Sequence, residues 1–221
     1  MQLDQKASFS MQLYYSPGAC SLAPHIVLEE IGKPYQRQLV SSMDGSTQSP
    51  EYLKINPKSR VPALRVGDAI ITEVAAIMVY LATANPSAKL LATTANNLAY
   101  SIEWLSWLGS GVHALSIAQN WRTERFSDDQ STYHSIRTKG MNNLVDAYQL
   151  VEQRMQGCDI WAVNNTYSIV DPYLLVFYRW GNRLGVDMQE GFPSWTKHTI
   201  RMLDRPAVNA VLEVEGISIW Q

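Results

Sequence analysis

The cysteine at position 20 is the residue of this 221-residue chain best placed to do chemistry. It lies in the string YYSPGACS, where a short apolar segment is followed by a Pro-Gly turn and then by a helical pattern. Unpaired amide groups and the helix dipole at a helix start favour a thiolate, so the position predicts a reactive Cys20. The alternative is that Cys20 is a small buried residue that packs well.

A second candidate is the Val61-Pro62 pair in the string RVPAL. A cis peptide bond here would leave the backbone amide and carbonyl of Val61 free to pair with an extended ligand. The alternative is a trans proline at the edge of a strand.

Disulfide and metal chemistry have little support in the sequence. The two cysteines, Cys20 and Cys158, are too few for a disulfide framework, and their wide separation shows no metal-ligand spacing. We expect His25, His134 and His198 to be solvated, and no partner spacing around them suggests a metal site. No metal is therefore predicted.

The elements that must position Cys20 and Val61 are predicted from periodicity and turn residues. In chain order they are a strand over residues 12–15, a helix from Cys20 or Ser21 to Gly32, a strand over 35–40, a short helix near 50–55, and a hairpin of 61–66 and 69–72. Thr72 is expected to cap a helix over residues 75–84, with Glu73 in its first turn. The order is strand, helix, strand, helix, hairpin, helix.

The second half of the chain predicts helices only. All seven tryptophans lie at or after Trp104, whereas seven of the ten prolines lie at or before Pro86, and turn residues place the boundary within 85–96. Ser168 and Asp171 have the spacing of a capping box, to which we assign a folding role. The predicted helices cover residues 97–121, 141–155, a segment that includes 173–178, then 193–203 and 206–213.

The composition excludes several classes of protein. With 46% hydrophobic and 17% charged residues the chain is globular, and a formal net charge of -2 offers no broad basic surface to nucleic acid. The longest apolar run, residues 74–82, is too short to cross a bilayer, and residues 1–10 are interpreted as an extension without a hydrophobic signal core. We expect a cytoplasmic protein that binds neither nucleic acid nor membrane.

The chain resembles the glutathione transferase family, most closely its bacterial beta class. The resemblance covers residues 11–221 and is carried by five strings in the family's order: YYSPGACSLAPHIVLEE, INPKSRVPAL, ITEVAAIMVYLA, IEWLSWLGSGVH and YSIVDPYLLVFYRW. It implies an α/β plus all-α architecture, with an N-terminal thioredoxin-like domain (βαβαββα) over residues 11–88 and an all-helical C-terminal domain over residues 96–221. It also implies a homodimer with the active cleft between the two domains.

The resemblance assigns roles to residues of the first domain. It makes Cys20 the thiol that faces the sulfur of glutathione, and Val61, before a cis Pro62, the backbone clamp for the cysteinyl part of the tripeptide. Glu73 accepts the γ-glutamyl ammonium, and the amide of Val74 meets the adjacent carboxylate, as helix N-termini do for anions.

Further roles are implied near the thiol and in the second domain. His113 is placed near the thiol, Tyr15 and Ser21 are candidate polar neighbours of the sulfur, and Ser106 reaches the tripeptide. Each role has an alternative: His113 is a surface or satisfied helix histidine, and Tyr15 is a core residue of its strand.

Three departures from the family pattern affect the binding of anionic groups. Val74 has no hydroxyl, Ala114 replaces a lysine, and residues 41–48 contain no Lys or Arg. At Val74 one hydrogen bond to a charged group is lost, worth roughly 1.5 to 3 kcal/mol. The residues available to compensate are Arg60, Lys58 and Arg122.

The resemblance implies an enzyme that binds reduced glutathione and directs its thiolate to a small hydrophobic electrophile, in detoxification. Thiol-disulfide exchange through Cys20 is a second possibility, and it must be monothiol because Ala23 stands where a CxxC motif has its second cysteine. Trp107 and Trp121 either shape the hydrophobic pocket or pack in the core.

A different class of function remains open at this point. The departures at Val74 and Ala114 fit a catalytically weak protein that uses the transferase fold to bind an apolar ligand or a protein partner. A glutathione-dependent isomerase or dehalogenase is a third reading, distinguished only by substrate trials.

Overall fold

The computed structural model describes residues 11–221, so the extension predicted over residues 1–10 lies outside the described residues. Its first half alternates strands and helices in the predicted order. The elements are β1 (Met11–Tyr15), α1 (Leu22–Ile31), β2 (Gln36–Leu39), α2 (Pro50–Leu53), β3 (Ala63–Val66), β4 (Ala69–Thr72) and α3 (Val74–Ala84).

The four strands form one mixed sheet in the order β2-β1-β3-β4. Strand β1 runs parallel to β2 and antiparallel to β3, and β3 pairs with β4 in a hairpin. The register pairs Leu13 with Leu64 and Leu64 with Ile71, so apolar side chains of three strands share one face. The architecture is the predicted thioredoxin-like domain.

The second half is helical, as predicted. Its elements are α4 (Ala95–Trp107), a π-helical segment (Leu108–Ile117), α5 (Ala118–Trp121), α6 (Tyr133–Gln156), α7 (Val170–Arg183), α8 (Met188–Gly191), α9 (Pro193–Leu203) and α10 (Pro206–Glu215). Within the described residues, no helix combines the length and the apolar character needed to cross a membrane.

Helix α1 connects the two halves. It contacts α3 within the first half, and α7 and α10 of the second half. Its residues from Leu22 to Leu28 are all buried, and Gly32 ends it in the left-handed conformation, with φ of 70°. Because α1 is fixed on both sides, the turn that precedes it, which carries Cys20, lies at the junction of the two halves.

Several predicted boundaries are corrected. Helix α1 begins at Leu22, because Cys20 and Ser21 belong to the preceding turn. Thr72 ends β4, and Glu73, with φ of 74°, is the residue that precedes α3. The single helix predicted over 97–121 is interrupted by the π-helical segment.

Two of the three histidines expected to be solvated are buried. His25 is fully buried, with Nδ1 2.7 Å from Glu215 Oε1, and His198 is 2% exposed, with Nε2 2.9 Å from Asp171 Oδ1. The prediction was wrong because each imidazole meets a carboxylate from a distant part of the chain, which offsets its desolvation. His134 is exposed, as predicted.

Candidate active site

The turn of residues 16–19 delivers Cys20 to the start of α1. Its backbone closes through the amide of Ala19, which donates to the carbonyl oxygen of Ser16 at 3.0 Å. The Ser21 hydroxyl lies 3.1 Å from both the amide nitrogen and the carbonyl oxygen of Ser16. Ser21 is fully buried, so its hydroxyl closes the turn and is not directed into a cavity.

The helical half holds the same turn from the other side. The Gly18 amide donates to Glu215 Oε2 at 2.7 Å, and its carbonyl oxygen accepts from Trp180 Nε1 at 2.9 Å and from Arg179 Nη1 at 3.4 Å. Glu215 is in turn paired with His25. Buried side chains from α1, α7 and α10 therefore fix the backbone two residues before Cys20.

The Cys20 thiol keeps its proton in these surroundings. Burial is the main reason that its pKa is raised to about 12, and the negative charge of Glu73 adds to the effect. The amides of Cys20 and Ser21 and the charge of Arg60 act in the opposite direction but are outweighed. The expected thiolate is thus corrected: the amides are present, but desolvation dominates.

The sulfur of Cys20 also contacts the second candidate motif. Cys20 Sγ donates to the carbonyl oxygen of Val61 at 3.4 Å, and the Val61-Pro62 peptide bond is cis, as the family resemblance implies. The Asn56 amide and the Tyr52 hydroxyl both donate to the Arg60 carbonyl oxygen, at 2.6 and 2.7 Å. Side chains of the first half therefore fix the backbone at Arg60, next to the Val61 carbonyl that contacts the thiol.

One cavity, called the Glu73 cavity, opens beside the start of α3. It has a volume of about 360 Å³, and among residues 11–221 Glu73 is the only acidic residue in its lining. The Lys58 ammonium contacts the Glu73 carboxylate and donates to Thr72 Oγ1 at 2.8 Å. The other lining residues that matter here are Cys20, Arg60, Val61, Pro62, Val74, Ser106, Tyr173 and Arg125.

The Glu73 cavity can bind a ligand that carries both signs of charge. Its lining offers a carboxylate at Glu73, the free amides at the start of α3, and the guanidinium groups of Arg60 and Arg125. A carboxylate accepts from an ammonium group, whereas amides and guanidinium groups donate to carboxylates.

A second cavity, called the arginine-lined cavity, lies on the other side of the thiol. It has a volume of about 380 Å³, and within the described residues its lining holds no Asp or Glu. Its cationic groups are Arg60, Arg122, Arg125 and Arg183, and Trp121 and Trp180 supply aromatic wall.

The two cavities meet at the thiol. Five residues line both: Cys20, Arg60, Val61, His113 and Arg125. A group bound in one cavity can therefore reach a group bound in the other next to Cys20 and His113. This junction is the arrangement that a bimolecular reaction between two bound substrates needs.

His113 lies on the π-helical segment and is neutral. Its pKa is lowered to about 4, mainly by burial and then by the charges of Arg125 and Arg60. Its ring packs against Trp180, with ring centroids 4.9 Å apart. At neutral pH this imidazole is a polar, uncharged group at the junction of the cavities.

Most of the sequence-predicted site residues are brought together, and two are not. Cys20, Val61, Pro62, Glu73, Val74, Ser106 and His113 all line a cavity. Tyr15 lines neither; its ring packs against His25, with centroids 5.2 Å apart, inside the core. Ser21 binds the Ser16 backbone. Both departures arise because the strand and the turn direct these side chains inward.

The residues expected to compensate for missing cations occupy three different places. Lys58 contacts Glu73, Arg60 lines both cavities, and Arg122 Nη2 donates to Ser42 Oγ at 3.0 Å, in the loop that lacks its own Lys or Arg. Ala114 lines the Glu73 cavity without adding a charge.

Sequence reasoning missed Arg125, Arg183 and Trp180. Arg125 and Arg183 belong to segments after α5 and at the end of α7, and only the tertiary fold brings them to one cavity. Their local sequence carries no signal for this. Trp121 lines the cavity, whereas Trp107 packs against Trp104, with ring centroids 5.7 Å apart.

Comparisons with known proteins agree on one family. Residues 18–84 match the family model described as the glutathione S-transferase N-terminal domain. The chain is 33% identical over 212 residues to glutathione S-transferase GST-4.5 of Xanthomonas campestris. The aligned region covers 94% of this chain and all of that protein.

Solved structures extend the agreement to the whole fold. A glutathione transferase homolog from Sulfitobacter with bound glutathione superposes with a TM-score of 0.88 at 31% identity, over 94% of this chain and 99% of the other. The beta class enzyme of Sphingomonas chungbukensis superposes with a TM-score of 0.81 at 28% identity, over 94% and 100%.

Proposed function

Because the chain belongs to the glutathione S-transferase family, we propose that it binds reduced glutathione in the Glu73 cavity and transfers the glutathione sulfur to an electrophile in the arginine-lined cavity. The observation that carries the proposal is the junction of the two cavities at Cys20 and His113. Both reactants are held beside each other there, so binding offsets the translational and rotational entropy that is lost when they are brought together.

The charges of the Glu73 cavity support glutathione as its occupant. Glutathione carries one ammonium and two carboxylates, which match the Glu73 carboxylate, the amides at the start of α3 and the guanidinium groups of Arg60 and Arg125. Val61, which lines both cavities, is the proposed backbone clamp for the middle of the tripeptide, with Ser106 as the contact from the helical half.

In the proposed reaction the glutathione thiol loses its proton to water, and the sulfur forms a bond to an electrophilic carbon. The leaving group departs with the electron pair of its former bond. The positive charges of Arg60 and Arg125 stabilise the thiolate before attack. Neutral His113 serves as a hydrogen-bond donor near the sulfur, and the Cys20 thiol, which donates its proton to the Val61 carbonyl oxygen, is an uncharged neighbour.

The protonated Cys20 favours this transfer over thiol-disulfide exchange. Exchange requires a thiolate as the attacking group, and burial disfavours that form of Cys20. Ala23, in place of a second cysteine, would leave a mixed disulfide without an internal resolving thiol. Cys20 therefore acts as a polar neighbour of the substrate sulfur.

The remaining parts of the proposal rest on family likeness. They are membership of the beta class, a role in detoxification, a homodimer in the cytoplasm, and a division into a glutathione-binding domain over residues 11–88 and a helical domain over 96–221. The likeness to the beta class enzyme of Sphingomonas chungbukensis supports the class.

The test is calorimetric titration of the reduced protein with glutathione at neutral pH, followed by turnover of chlorodinitrobenzene. We expect saturable binding in the micromolar to low-millimolar range, weakened about tenfold in Glu73→Gln. Glu213→Gln, which removes an exposed carboxylate of α10 outside both cavities, is the matched control. Absence of binding in the unmodified protein would overturn the proposal.

A further inference from the structure

The arginine-lined cavity carries an excess of positive charge that a neutral electrophile does not use. Its four arginines come from three places: the segment before β3, the segment after α5, and the end of α7. Across residues 11–221 none of the four forms an ion pair with a carboxylate. A cavity with this lining attracts anions.

The pKa values of groups near these arginines are shifted by the same positive charges. The pKa of Arg125 is lowered, first by burial and then by the charges of Arg60 and Arg122. Arg125 and Arg60 also lower the pKa of His113. The arginines are therefore close enough to repel one another, and a bound anion relieves that repulsion.

Glutathione does not account for all four arginines. Arg60 and Arg125 line both cavities and are available to its carboxylates, whereas Arg122 and Arg183 line only the arginine-lined cavity. Glu73 pairs with Lys58 and lines the Glu73 cavity, and neither residue lines the arginine-lined cavity. Two cations thus remain on the side where the second substrate binds.

These two cations flank an aromatic surface. The Arg183 guanidinium lies over the Trp121 ring, 5.6 Å from its centroid, and the rings of Trp121 and Trp180 are 5.5 Å apart. Arg122 is anchored on the other side by donating to the Trp121 carbonyl oxygen at 3.1 Å and to Ser42 Oγ. The two indole rings stand at 77° to each other, so the wall offers an apolar corner with guanidinium groups at its edge.

We propose that the electrophile taken by this cavity is an organic anion, with an aromatic body that packs in the corner between Trp121 and Trp180 and a carboxylate or sulfonate that binds Arg122 and Arg183. The proposal rests on the proposed function and narrows its substrate class. A guanidinium donates to such groups through two parallel hydrogen bonds, which gives direction as well as charge.

The experiment compares two electrophiles that differ by one charge, chlorodinitrobenzene and chlorodinitrobenzoate, each with glutathione. The quantity measured is the ratio of their kcat/KM values, each divided by its uncatalysed rate. We expect the unmodified protein to favour the benzoate, and Arg122→Gln or Arg183→Gln to lower the ratio about fivefold. Raising the salt concentration from about 20 to about 200 mM should lower it as well.

Two further variants separate charge at this site from charge elsewhere. Arg183→Lys keeps the charge and is expected to restore part of the ratio. Arg201→Gln removes an exposed arginine of α9 that pairs with Asp204 and lines a different cavity, so the ratio should equal that of the unmodified protein.

The outcomes separate this proposal from the proposed function. Turnover of both electrophiles with a ratio that Arg122→Gln and Arg183→Gln leave unchanged overturns the anionic substrate and leaves the transferase intact. If neither electrophile is turned over, the proposed transferase activity is refuted. The anion site is then tested separately, by calorimetric titration with unreactive dinitrobenzoate. Loss of that binding in Arg122→Gln supports the anion site, and binding equal in all variants overturns it.

Discussion

At the centre of the site, the Cys20 thiol lies in surroundings that disfavour its ionised form. The residue is 7% exposed and its proton is directed to the Val61 carbonyl oxygen. Burial raises its pKa to about 12, so the thiolate is a minute fraction at neutral pH. A cysteine at the start of a helix is thus no guarantee of a nucleophile.

This state of Cys20 predicts slow alkylation. In a Cys158→Ser background we expect iodoacetamide to modify Cys20 near pH 7 about a hundredfold more slowly than free cysteine, with a rate that still rises above pH 10. Mass spectrometry of the intact protein measures the rate. A rate equal to that of free cysteine would contradict the buried, protonated thiol.

The neutral His113 predicts a specific loss of stability in acid. Its folded-state pKa of about 4 lies below the ordinary value of 6.5, so the unfolded chain binds the proton more tightly. Its contribution is therefore present above pH 6.5 and is lost as the pH falls towards 4. We expect His113→Gln to reduce the acid-induced loss by about 2 kcal/mol.

Urea unfolding near pH 7 and near pH 4.5 measures this difference. The control is His134→Gln, which removes an exposed histidine and should leave the acid-induced loss as it is in the unmodified protein. An equal acid-induced loss in His113→Gln and in the unmodified protein would show that His113 is charged or solvated.

Val74 predicts a gain of affinity by substitution. The residue begins α3 and lines the Glu73 cavity, where a hydroxyl at this position can donate to a carboxylate of glutathione. We expect Val74→Ser to lower the KM for glutathione about threefold to tenfold. Val74→Ala removes the same methyl groups without adding a donor, so equal KM values in the two variants would refute the explanation.

At the scale of elements, α7 is positioned by a buried carboxylate. Asp171 Oδ2 accepts from the Ser168 amide at 2.7 Å and Oδ1 accepts from the Ala162 amide at 3.1 Å, while the Ser168 hydroxyl accepts from the Val170 amide at 3.3 Å. The bond from the Ser168 amide to Asp171 is one half of the predicted capping box; the other half is absent, because the Ser168 hydroxyl accepts from Val170 and the Asp171 amide donates to the Ser168 carbonyl oxygen. His198 also contacts Asp171. Because α7 also carries Trp180 and Arg183, the bonds that fix its start also help to position these two residues in the arginine-lined cavity.

Loss of this carboxylate should be costly. We expect Asp171→Ala to destabilise the protein by about 3 kcal/mol, because several buried donors lose their acceptor, and to lower Tm by about 8 °C. Asp187→Ala is the matched control, since Asp187 caps the short α8 from an exposed position through the Glu190 amide. Scanning calorimetry compares the two, and equal Tm changes would contradict the account.

The elements differ in how far their sequences predict them. Local patterns predict α9 and β4 within their observed bounds, because a proline marks the start of α9 and the Gly-Asp turn marks the start of β4. The π-helical segment is not predictable in this way, since apolar residues every three or four positions fit both hydrogen-bond patterns. The His25 pairing joins residues 190 apart in sequence, and no local pattern encodes it.

The site residues also divide into those that local sequence predicts and those that it does not. The motif around Cys20, the Val61-Pro62 pair and Glu73 are contiguous in sequence and could be predicted. The arginine-lined cavity collects Arg60, Arg125 and Arg183 from separate parts of the chain, so only the tertiary fold assembles it.

On the scale of the whole molecule, the two halves share one buried network. Glu215 of α10 binds both Gly18 and His25, and Trp180 of α7 binds Gly18. The Arg205 guanidinium, of the helical half, binds Glu30 of α1 at 2.6 and 2.8 Å. With this many buried contacts between them, the halves are expected to unfold together.

The distribution of tryptophan makes that expectation testable. All seven tryptophans lie in the helical half, so their fluorescence reports on that half, whereas access of a thiol reagent to Cys20 reports on the first. In a Cys158→Ser background we expect both probes to give one coincident transition in urea. Exposure of Cys20 well before the fluorescence change would show that the first half unfolds alone.

The turn before Cys20 also limits how this site can be redesigned. Gly18 has φ of +66°, and a Cβ atom built on it would lie 2.5 Å from Arg179 Nη1. In a combinatorial library that varies the turn, any side chain at position 18 strains the backbone and forces the Arg179 side chain to move. Diversity placed at the solvent-facing Pro17 and the partly exposed Ala19 samples new substrate contacts instead, and it leaves the scaffold of the turn untouched.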